Sequence, residues 1–292
     1  MRTDLNSLTF GIEIECTIPT DALRARGWSV GGYHVGAPIP GHTGWKAMHD
    51  GSIQARRPYE GVEVVSPVLS GVDGLRQIEA MVADLRAMGA KVNTSTGFHV
   101  HVGWNGTPAQ LRRLICFVAF HEKALFASTG TTSREGNSYC SSIKFNYRRL
   151  ETLQTEADIA YAGVSRYHVL NLANLRAAGK RTVEFRVFAG TLNLVKMLAY
   201  VQLCLGIVVK ALDNPRKPLA WDAPVNARQA RLRMGDGLWA MRLLLTHLHW
   251  RDRVRPGRAS AGVFDPSTTK TLIKQLTKMA RQYDARRAGR AQ

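Results

Sequence analysis

The sequence predicts an α+β protein, built as an antiparallel sheet with helices on one face and a functional site on the other. Four short segments alternate between apolar and polar residues, and this period of two is typical of strands with one buried face. Other segments carry apolar residues at helical spacing, and three of these follow the last strand. We expect the apolar strand faces to pack against those helices.

The four predicted strands are short, and their charged residues stand at alternate positions. The first strand, residues 8–18, places Glu13 and Glu15 on the face opposite Ile12 and Ile14. The others are residues 61–67 (GVEVVSP), 97–104 (GFHVHVGW) and 181–188 (RTVEFRVF).

Apolar periodicity and end signals predict the helices. The first, residues 73–88, is followed by Gly89, which suits a C-terminal cap. The second begins at Thr107-Pro108, with Thr as the N-cap and Pro at the first helical position, and ends near residue 127. Three further helices are predicted at residues 193–212, 226–248 and 266–287.

The positive charge of the protein is concentrated towards its C-terminal end. The chain has 40 Lys and Arg against 22 Asp and Glu, a net charge of +18, and residues 210–292 alone carry 18 basic and 6 acidic residues. We therefore divide the chain into a domain at residues 1–212 and a basic helical C-terminal extension at residues 213–292. A basic field attracts nucleic acid and other polyanions, but it also favours solubility, and the sequence leaves both readings of residues 210–292 open.

Composition predicts a cytoplasmic protein without a membrane span. The most apolar run, residues 197–209, is too short to cross a bilayer and contains Gln202. The N-terminus lacks the apolar stretch of a signal peptide. Four widely spaced cysteines without a CxxC pair indicate reduced thiols, and those in strands and helices are expected in the core.

Charged residues gather on one face of the predicted sheet. Residues two apart share a face of a strand, so each strand has an apolar side and a side with acidic, imidazole or guanidinium groups. If the strands share a sheet, that second side carries Glu13, Glu15, Glu63, His99, His101, Glu184 and Arg186. Each motif alone is more typical of a solvated face or a surface ion pair, but a solvated face would also carry Lys, Thr, Ser and Gln.

Crowded carboxylates repel one another unless they are protonated or bridged by cations. Carboxylate oxygens with an imidazole suit hard divalent metals, so the sequence predicts two or three Mg²⁺ or Mn²⁺ ions rather than zinc, because no cysteine joins the set. The chain has no GxxxxGK[ST] loop and no GxGxxG motif. His34, His42 and His49 lie in the loop-rich residues 27–61, where they would line a substrate pocket or simply be loop residues.

Five ordered motifs resemble the amidoligase family. They are FGIEIE, then DGS leading to GVEVVSP, then GFHVHVG, RYHVLNLANL and TVEFRVFAGTL, which together cover roughly residues 8–210. That family belongs to the carboxylate–amine ligases similar to glutamine synthetase and glutamate–cysteine ligase. The resemblance therefore implies a glutamine-synthetase-like catalytic fold for residues 1–212.

The resemblance also implies a role for each matched residue. Glu15 and Glu63, with Asp50, look like ligands of the metal nearer the acceptor carboxylate, whereas Glu13, His99 and Glu184 look like ligands of the metal on the ATP phosphates. Arg186 is similar to an arginine that clamps the transferring phosphoryl group. Arg166 and Asn171 look like substrate or phosphate contacts. Independently of the resemblance, we expect Lys144 and Arg148, which match no motif, to reach phosphate, and His101, which has no metal assigned, to contact substrate or phosphate.

The implied activity is ATP-dependent formation of an amide bond through an acyl phosphate, with small-molecule or peptide carboxylates and amines as substrates. Two other functions stay open at this stage. Acidic residues and His on a sheet with a basic field also suit a metal-dependent nuclease, and a ligase-like scaffold could serve as a nucleic-acid-binding protein. A ligase whose acceptor is attached to nucleic acid or another polyanion combines these features.

Overall fold

A mixed sheet-and-helix architecture is built around one antiparallel sheet. The computed structural model describes residues 7–143, 150, 152–162, 165–176, 180–213, 235–250 and 268–290. Within these residues the strand order is β2-β3-β4-β1-β6-β8-β7, with β5 paired to β1, and every pairing is antiparallel. The predicted α+β class with an antiparallel sheet is therefore confirmed.

The four predicted strands are present with ends shifted by no more than two residues. The strands are β1 Thr9–Pro19, β2 Ala37–Pro38, β3 Lys46–Met48, β4 Tyr59–Val65, β5 Leu69–Ser70, β6 Gly97–Gly103, β7 Leu170–Asn171 and β8 Thr182–Ala189. The two short strands β2 and β3 lie in the segment predicted to be mainly loops, and they extend the sheet beyond β4.

The predicted helices are also present where the structure describes them. The helices are α1 Thr20–Ala25, α2 Gly71–Ala87, α3 Pro108–Ser128, α4 Glu156–Ala162, α5 Leu194–Leu212, α6 Gly237–His247 and α7 Thr269–Ala288. The predicted start of α6 at residues 226–234 and the segment between α6 and α7 at residues 251–267 lie outside the described residues. Helix α6 begins at Gly237 because the side chain of Asp236 accepts a hydrogen bond of 2.6 Å from Trp239 N.

Local signals read from the sequence fix two of the helix ends. Thr107 and Gln110 form a reciprocal capping box at the start of α3, with Thr107 N donating to Gln110 Oε1 at 2.7 Å. Gly89 follows α2 with a φ of +72°, a left-handed conformation that glycine adopts without a Cβ penalty.

The apolar side chains of the sheet pack into a core with α3 and α5. Ile12, Ile14 and Cys16 of β1 are fully buried, and the ring of Phe188 stacks on Tyr200 of α5 with centroids 4.1 Å apart. Helix α5 is long and apolar enough to cross a membrane, but 72% of its apolar window is buried inside the protein. That burial is typical of a core helix.

The C-terminal helices α6 and α7 pack on the core rather than extending from it. Five apolar residues of α7 recur at helical spacing and are buried, namely Leu272, Leu276, Met279, Ala280 and Tyr283, and Ile273 beside them is half-buried. Asp284 of α7 accepts hydrogen bonds from Gly237 N and Leu238 N at 2.7 and 2.9 Å, which joins α7 to the start of α6. The division at residue 212 stays a prediction.

Cysteines and histidines away from the charged face have structural roles. All four cysteines are buried, and burial, followed by the charge of Glu15, raises the pKa of the Cys16 thiol to about 12. His121 of α3 is buried with its Nε2 2.9 Å from His247 Nδ1 of α6. Burial lowers the pKa of His121 well below its usual value and that of His247 to about 4, so this pair packs as neutral imidazoles.

Candidate functional site

Strand register brings the charged residues of four strands together. In the sheet Glu13 is paired with His99, Glu15 with Glu63, and His101 with Glu184. Directly paired residues on neighbouring antiparallel strands place their side chains on the same face. The site therefore rests on the central strands β4, β1, β6 and β8, where the backbone is held on both sides.

One group of potential metal ligands consists of Glu13, His99 and Glu184. His99 Nδ1 lies 2.8 Å from Glu13 Oε2 and 3.6 Å from Glu184 Oε1. One ligand atom from each of the three residues falls within 4.8 Å of the others. Three donors at this separation could hold one divalent cation.

A second group consists of Glu15, Glu63 and His99, and it shares the imidazole with the first. His99 Nε2 lies 3.4 Å from Glu15 Oε1, and one ligand atom of each residue again falls within 4.8 Å of the others. These side chains are deeply buried, with residue exposures of 5% for Glu15, 7% for Glu63 and 2% for His99. The two nitrogens of one ring therefore face two separate acidic groups.

Gly97 leaves room for the His99 imidazole because glycine has no side chain. A Cβ on Gly97 would stand 2.9 Å from His99 Nε2 and 3.3 Å from Glu15 Oε2, closer than ordinary contacts. The backbone N of Gly97 also donates a hydrogen bond of 2.5 Å to Glu15 Oε2. Residue 97 thus holds one carboxylate and leaves room for the ring.

A β-bulge lies beside His99. Between the pairs Phe98–Phe188 and Val100–Phe185, β6 contributes one residue and β8 contributes two. Such a bulge bends the strand and changes the direction of its side chains, and bulges are common beside active sites. Arg186 is one of the two β8 residues in the bulge.

The electrostatics of the cluster fit a divalent cation. Burial, together with the charges of Glu13, Glu15 and Asp50, raises the pKa of Glu63 to about 9. A carboxylic acid that keeps its proton at neutral pH indicates more negative charge than the site itself neutralises. Oxygen donors with a shared imidazole suit Mg²⁺ or Mn²⁺.

Glu13 and His101 form an ion pair at the edge of the cluster. His101 Nε2 lies 2.9 Å from Glu13 Oε1. Burial works against the charge of Glu13, but the His101 charge and hydrogen bonds from both histidines outweigh it and hold its pKa well below the usual value. Burial likewise opposes the charged form of His101, but Glu13 and Glu184 raise its pKa above 6.5. The pair therefore favours the protonated form of the His101 imidazole.

Glu184 is oriented from two sides. Arg186 Nη1 donates to Glu184 Oε1, and Asn171 Nδ2 donates to Glu184 Oε2 at 2.5 Å. Arg186 Nε also donates to the backbone O of Tyr139 at 3.3 Å. Glu184 and Glu13 raise the pKa of Arg186 despite its burial, so its guanidinium stays charged.

A cleft of about 370 Å³ opens over the cluster. Its lining includes most of the residues predicted for the site: Glu13, Asp50, Glu63, His101, Arg166, Asn171, Glu184 and Arg186. Tyr33 and His34 complete one wall, and Arg166 Nη2 donates to Tyr33 Oη at 3.2 Å. The cleft is large enough for a phosphate-bearing ligand.

The structure brings together most, but not all, of the predicted site residues. Asp50 lines the cleft but belongs to neither ligand group formed by the described residues, and its Oδ1 instead accepts from Ser52 N at 2.7 Å. His42, one of the candidate pocket histidines, lies 2.8 Å from Asp84 Oδ2 and so has a structural partner. Lys144 and Arg148 lie outside the described residues.

Sequence reasoning missed Arg134. Its side chain is buried, with 3% exposure, and Nη2 donates to the backbone O of Arg186 at 2.8 Å. Arg134 lies in a segment without periodicity or a motif, so no local signal pointed to it. Tyr139 and Lys180, which also line the cleft, were missed for the same reason.

The fold and the site together define a class: an antiparallel-sheet protein with a buried acidic cluster and arginines beside a cleft, as expected of a metal-dependent enzyme. The sequence identifies the family. Residues 6–208 match the model of the family described as "Putative amidoligase enzyme", and the chain belongs to this family. The resemblance found in the five motifs is thereby confirmed.

Comparison with individual proteins adds little. No protein with a curated description matches the sequence. Among solved structures, the complex between the prokaryotic ubiquitin-like protein Pup and its ligase PafA aligns with a TM-score of 0.43 and 12% identity. The alignment covers 96% of this chain but 65% of that one, so this chain spans about two thirds of the length of its match. Similarity at this level carries no argument about function.

Proposed function

We propose that this protein is an ATP-dependent carboxylate–amine ligase that forms an amide bond through an acyl-phosphate intermediate. Membership of the amidoligase family supports the formation of an amide. The observation that carries the proposal further is the pair of acidic groups that share His99, next to the cleft with Arg186. This arrangement suits a reaction that gathers several negative charges in one place.

Amide formation needs an activated carboxylate, because a free carboxylate is a poor electrophile. In the first step an oxygen of the substrate carboxylate attacks the γ-phosphorus of ATP, and the bond to ADP breaks. In the second step the amine nitrogen attacks the acyl carbon, inorganic phosphate leaves, and the nitrogen loses a proton. Both steps require close approach of anionic groups, which must be neutralised and held in line.

The metal ions would be held by Glu13, His99 and Glu184 in one group and by Glu15, Glu63 and His99 in the other. When bound, divalent ions supply charge neutralisation at the phosphates and the reacting carboxylate. Their charge would also offset the burial and the carboxylate repulsion that together keep Glu63 protonated. Asp50 remains close enough to Glu63 to act on it through its charge.

The remaining residues would bind and orient the substrates. The Arg186 guanidinium is planar and permanently charged, and Glu184 and the Tyr139 carbonyl fix its direction. We propose that it binds the transferring phosphoryl group. His101, whose protonated form Glu13 favours, would bind a second anionic oxygen, and Arg166 would contact nucleotide or substrate from the lining of the cleft.

The substrates are proposed to be small or peptide-like molecules that carry a carboxylate and an amine, handled in the cytoplasm. Specificity would lie in the segments at residues 19–60 and 129–165, whose described parts contribute Tyr33, His34 and Tyr139 to the lining of the cleft.

The test is ADP release measured against a panel of carboxylates and amines, with Mg²⁺ and Mn²⁺. We expect release only when both substrates are present, and we expect Glu184→Gln and His99→Ala to abolish it without loss of the folded state. Glu79→Gln, on the exposed face of α2, is the matched control and should retain activity. Turnover that persists in both site variants would refute the placement of the site, and metal-dependent DNA cleavage without ATP would indicate a nuclease instead.

A further inference from the structure

Arg134 borders the acidic cluster from the inside of the protein. The point where a Cβ on Gly97 would stand is 3.4 Å from Arg134 Nη2, 3.3 Å from Glu15 Oε2 and 2.9 Å from His99 Nε2. The same Nη2 donates to the backbone O of Arg186. With 3% exposure, Arg134 is not reachable by a substrate in the cleft. It contacts the site from behind and holds β8 at the residue proposed to bind phosphate.

Burying the guanidinium of Arg134 in this position costs free energy. Burial removes its hydration, and Arg134 Nε has no hydrogen-bond partner among the described residues. An arginine that is only partly satisfied tends to move towards water unless its backbone is fixed. The segment that carries Arg134 therefore has to be held in place by other parts of the chain.

Helix α7 provides that support through several bonds. Arg286 Nη1 donates to Gly130 O at 2.8 Å, and Tyr283 Oη donates to a carboxylate oxygen of Glu135. Arg290 Nη1 lies 3.5 Å from Thr132 O. These contacts enclose Arg134 on both sides along the chain, from residue 130 to residue 135.

Packing adds to the hydrogen bonds. Gly130 has a φ of +71°, and a Cβ there would stand 2.9 Å from Met279 Sδ, so the segment lies directly on α7. Helix α7 is itself anchored by its buried apolar face and by Asp284 at the start of α6. The helix nevertheless lies beyond residues 6–208, the part of the chain that defines the family.

We propose that Arg134 is a positioning residue of the ligase site, and that α7 is a brace, specific to the C-terminal extension, that holds residues 130–135 so that Arg134 reaches Arg186. The catalytic part of this inference rests on the proposed function, whereas the brace itself does not. Loosening α7 would then disturb a site to which the helix contributes no residue.

Removing α7 would expose its buried face and unfold its surroundings, so the test uses point variants. Tyr283→Phe combined with Arg286→Met removes the two shortest hydrogen bonds from α7 to residues 130–135, leaves only the 3.5 Å contacts of Arg287 and Arg290, and keeps the apolar packing. Arg281→Met, on the exposed part of the same helix, is the matched control. We expect hydrogen–deuterium exchange at residues 130–140 to be about tenfold or more faster in the double variant and unchanged in the control.

Arg134 itself is tested by two substitutions. Arg134→Met should speed exchange at residues 184–188, because the Arg186 carbonyl loses its donor. Arg134→Lys keeps the positive charge but loses the planar set of N–H donors that a guanidinium provides. We expect it to retain thermal stability, to lower kcat about tenfold or more, and to leave KM for ATP unchanged within about twofold. A purely structural role would instead lower stability and leave kcat per folded molecule unchanged.

The outcomes separate this inference from the proposed function. Wild-type exchange rates in both the double variant and Arg134→Met would overturn the brace and the positioning role, whatever the enzyme does. Faster exchange with an unaltered kcat would overturn the link between the brace and the site. If the wild type shows no ATP turnover and binds no Mn²⁺ in a titration, the proposed function fails and the exchange measurements alone decide the brace.

Discussion

Because the pKa of Glu63 is raised, we expect metal binding to release a proton from this residue. A group with a pKa of about 9 is about 99% protonated at pH 7. A divalent ion held by Glu63 must displace that proton, so we expect close to one proton released from Glu63 for each protein that binds metal. The apparent affinity should rise by up to about tenfold per pH unit between roughly pH 5 and 9.

The assay is titration calorimetry of the metal-free protein with Mn²⁺, in two buffers whose ionisation enthalpies differ. The observed heat then depends on the buffer in proportion to the number of protons released. Glu63→Gln carries no titrating group at this position, so its count should be lower by about one proton than that of the wild type. Any contribution from His101 is common to both proteins and cancels in the difference. Equal numbers of released protons in the wild type and in Glu63→Gln would refute the reasoning.

Stability without metal gives an independent check of the same group. The pKa of Glu63 is higher in the folded state than the ordinary value of 4.5, so the folded protein binds more protons than the unfolded chain between pH 4.5 and about 9. The contribution of Glu63 to stability therefore falls as pH rises through this window, by up to about 1.4 kcal/mol per pH unit. Glu63→Gln should remove this part of the slope, and Glu79→Gln should keep it. An unchanged slope in Glu63→Gln would show that Glu63 does not hold its proton.

Two further predictions concern the glycine in the cluster and the basic helix. Gly97→Ala should lower Mn²⁺ affinity and cost about 1–3 kcal/mol of unfolding free energy, because its Cβ would stand 2.9 Å from His99 Nε2. Metal titration measures the affinity and chemical denaturation measures the free energy of unfolding. Wild-type values of both quantities would contradict the geometry. The exposed residues Lys270, Lys274 and Lys278 follow one another at i, i+4 and i+8 on α7, so changing all three to Glu should weaken DNA binding and reduce its salt dependence if the extension binds polyanions. Unchanged binding of DNA, measured by fluorescence anisotropy across salt concentrations, would exclude this face.

Most of the polar face could be predicted because it depends on local rules. Alternation in β1 alone places Glu13 and Glu15 on one side of the strand, and the same rule places His99 beside His101 on β6. Neither rule depends on distant parts of the chain. The order of the motifs then identified the family without any structure.

The structure changed the details of the ligand groups. No pattern in the sequence indicated that His99 stands between the two groups, since that depends on strand register and on the bulge in β8. Asp50 was expected to join Glu15 and Glu63, but it belongs to neither ligand group of the described residues; it lines the cleft and acts on Glu63 through its charge. Loop conformations follow from tertiary contacts and not from periodicity.

The sequence by itself determined the four longest strands, the direction of their side chains and the family, because alternation and motif residues act over a few positions of the chain. Only the tertiary structure decided that His99 joins both acidic groups, that Arg134 stands behind them, and that α7 holds Arg134 in place. Those relations connect residues that lie far apart in the sequence, 86 positions for His99 and Glu13 and 148 for Tyr283 and Glu135. Such contacts depend on how the whole chain packs, and a single sequence carries no local signal for them.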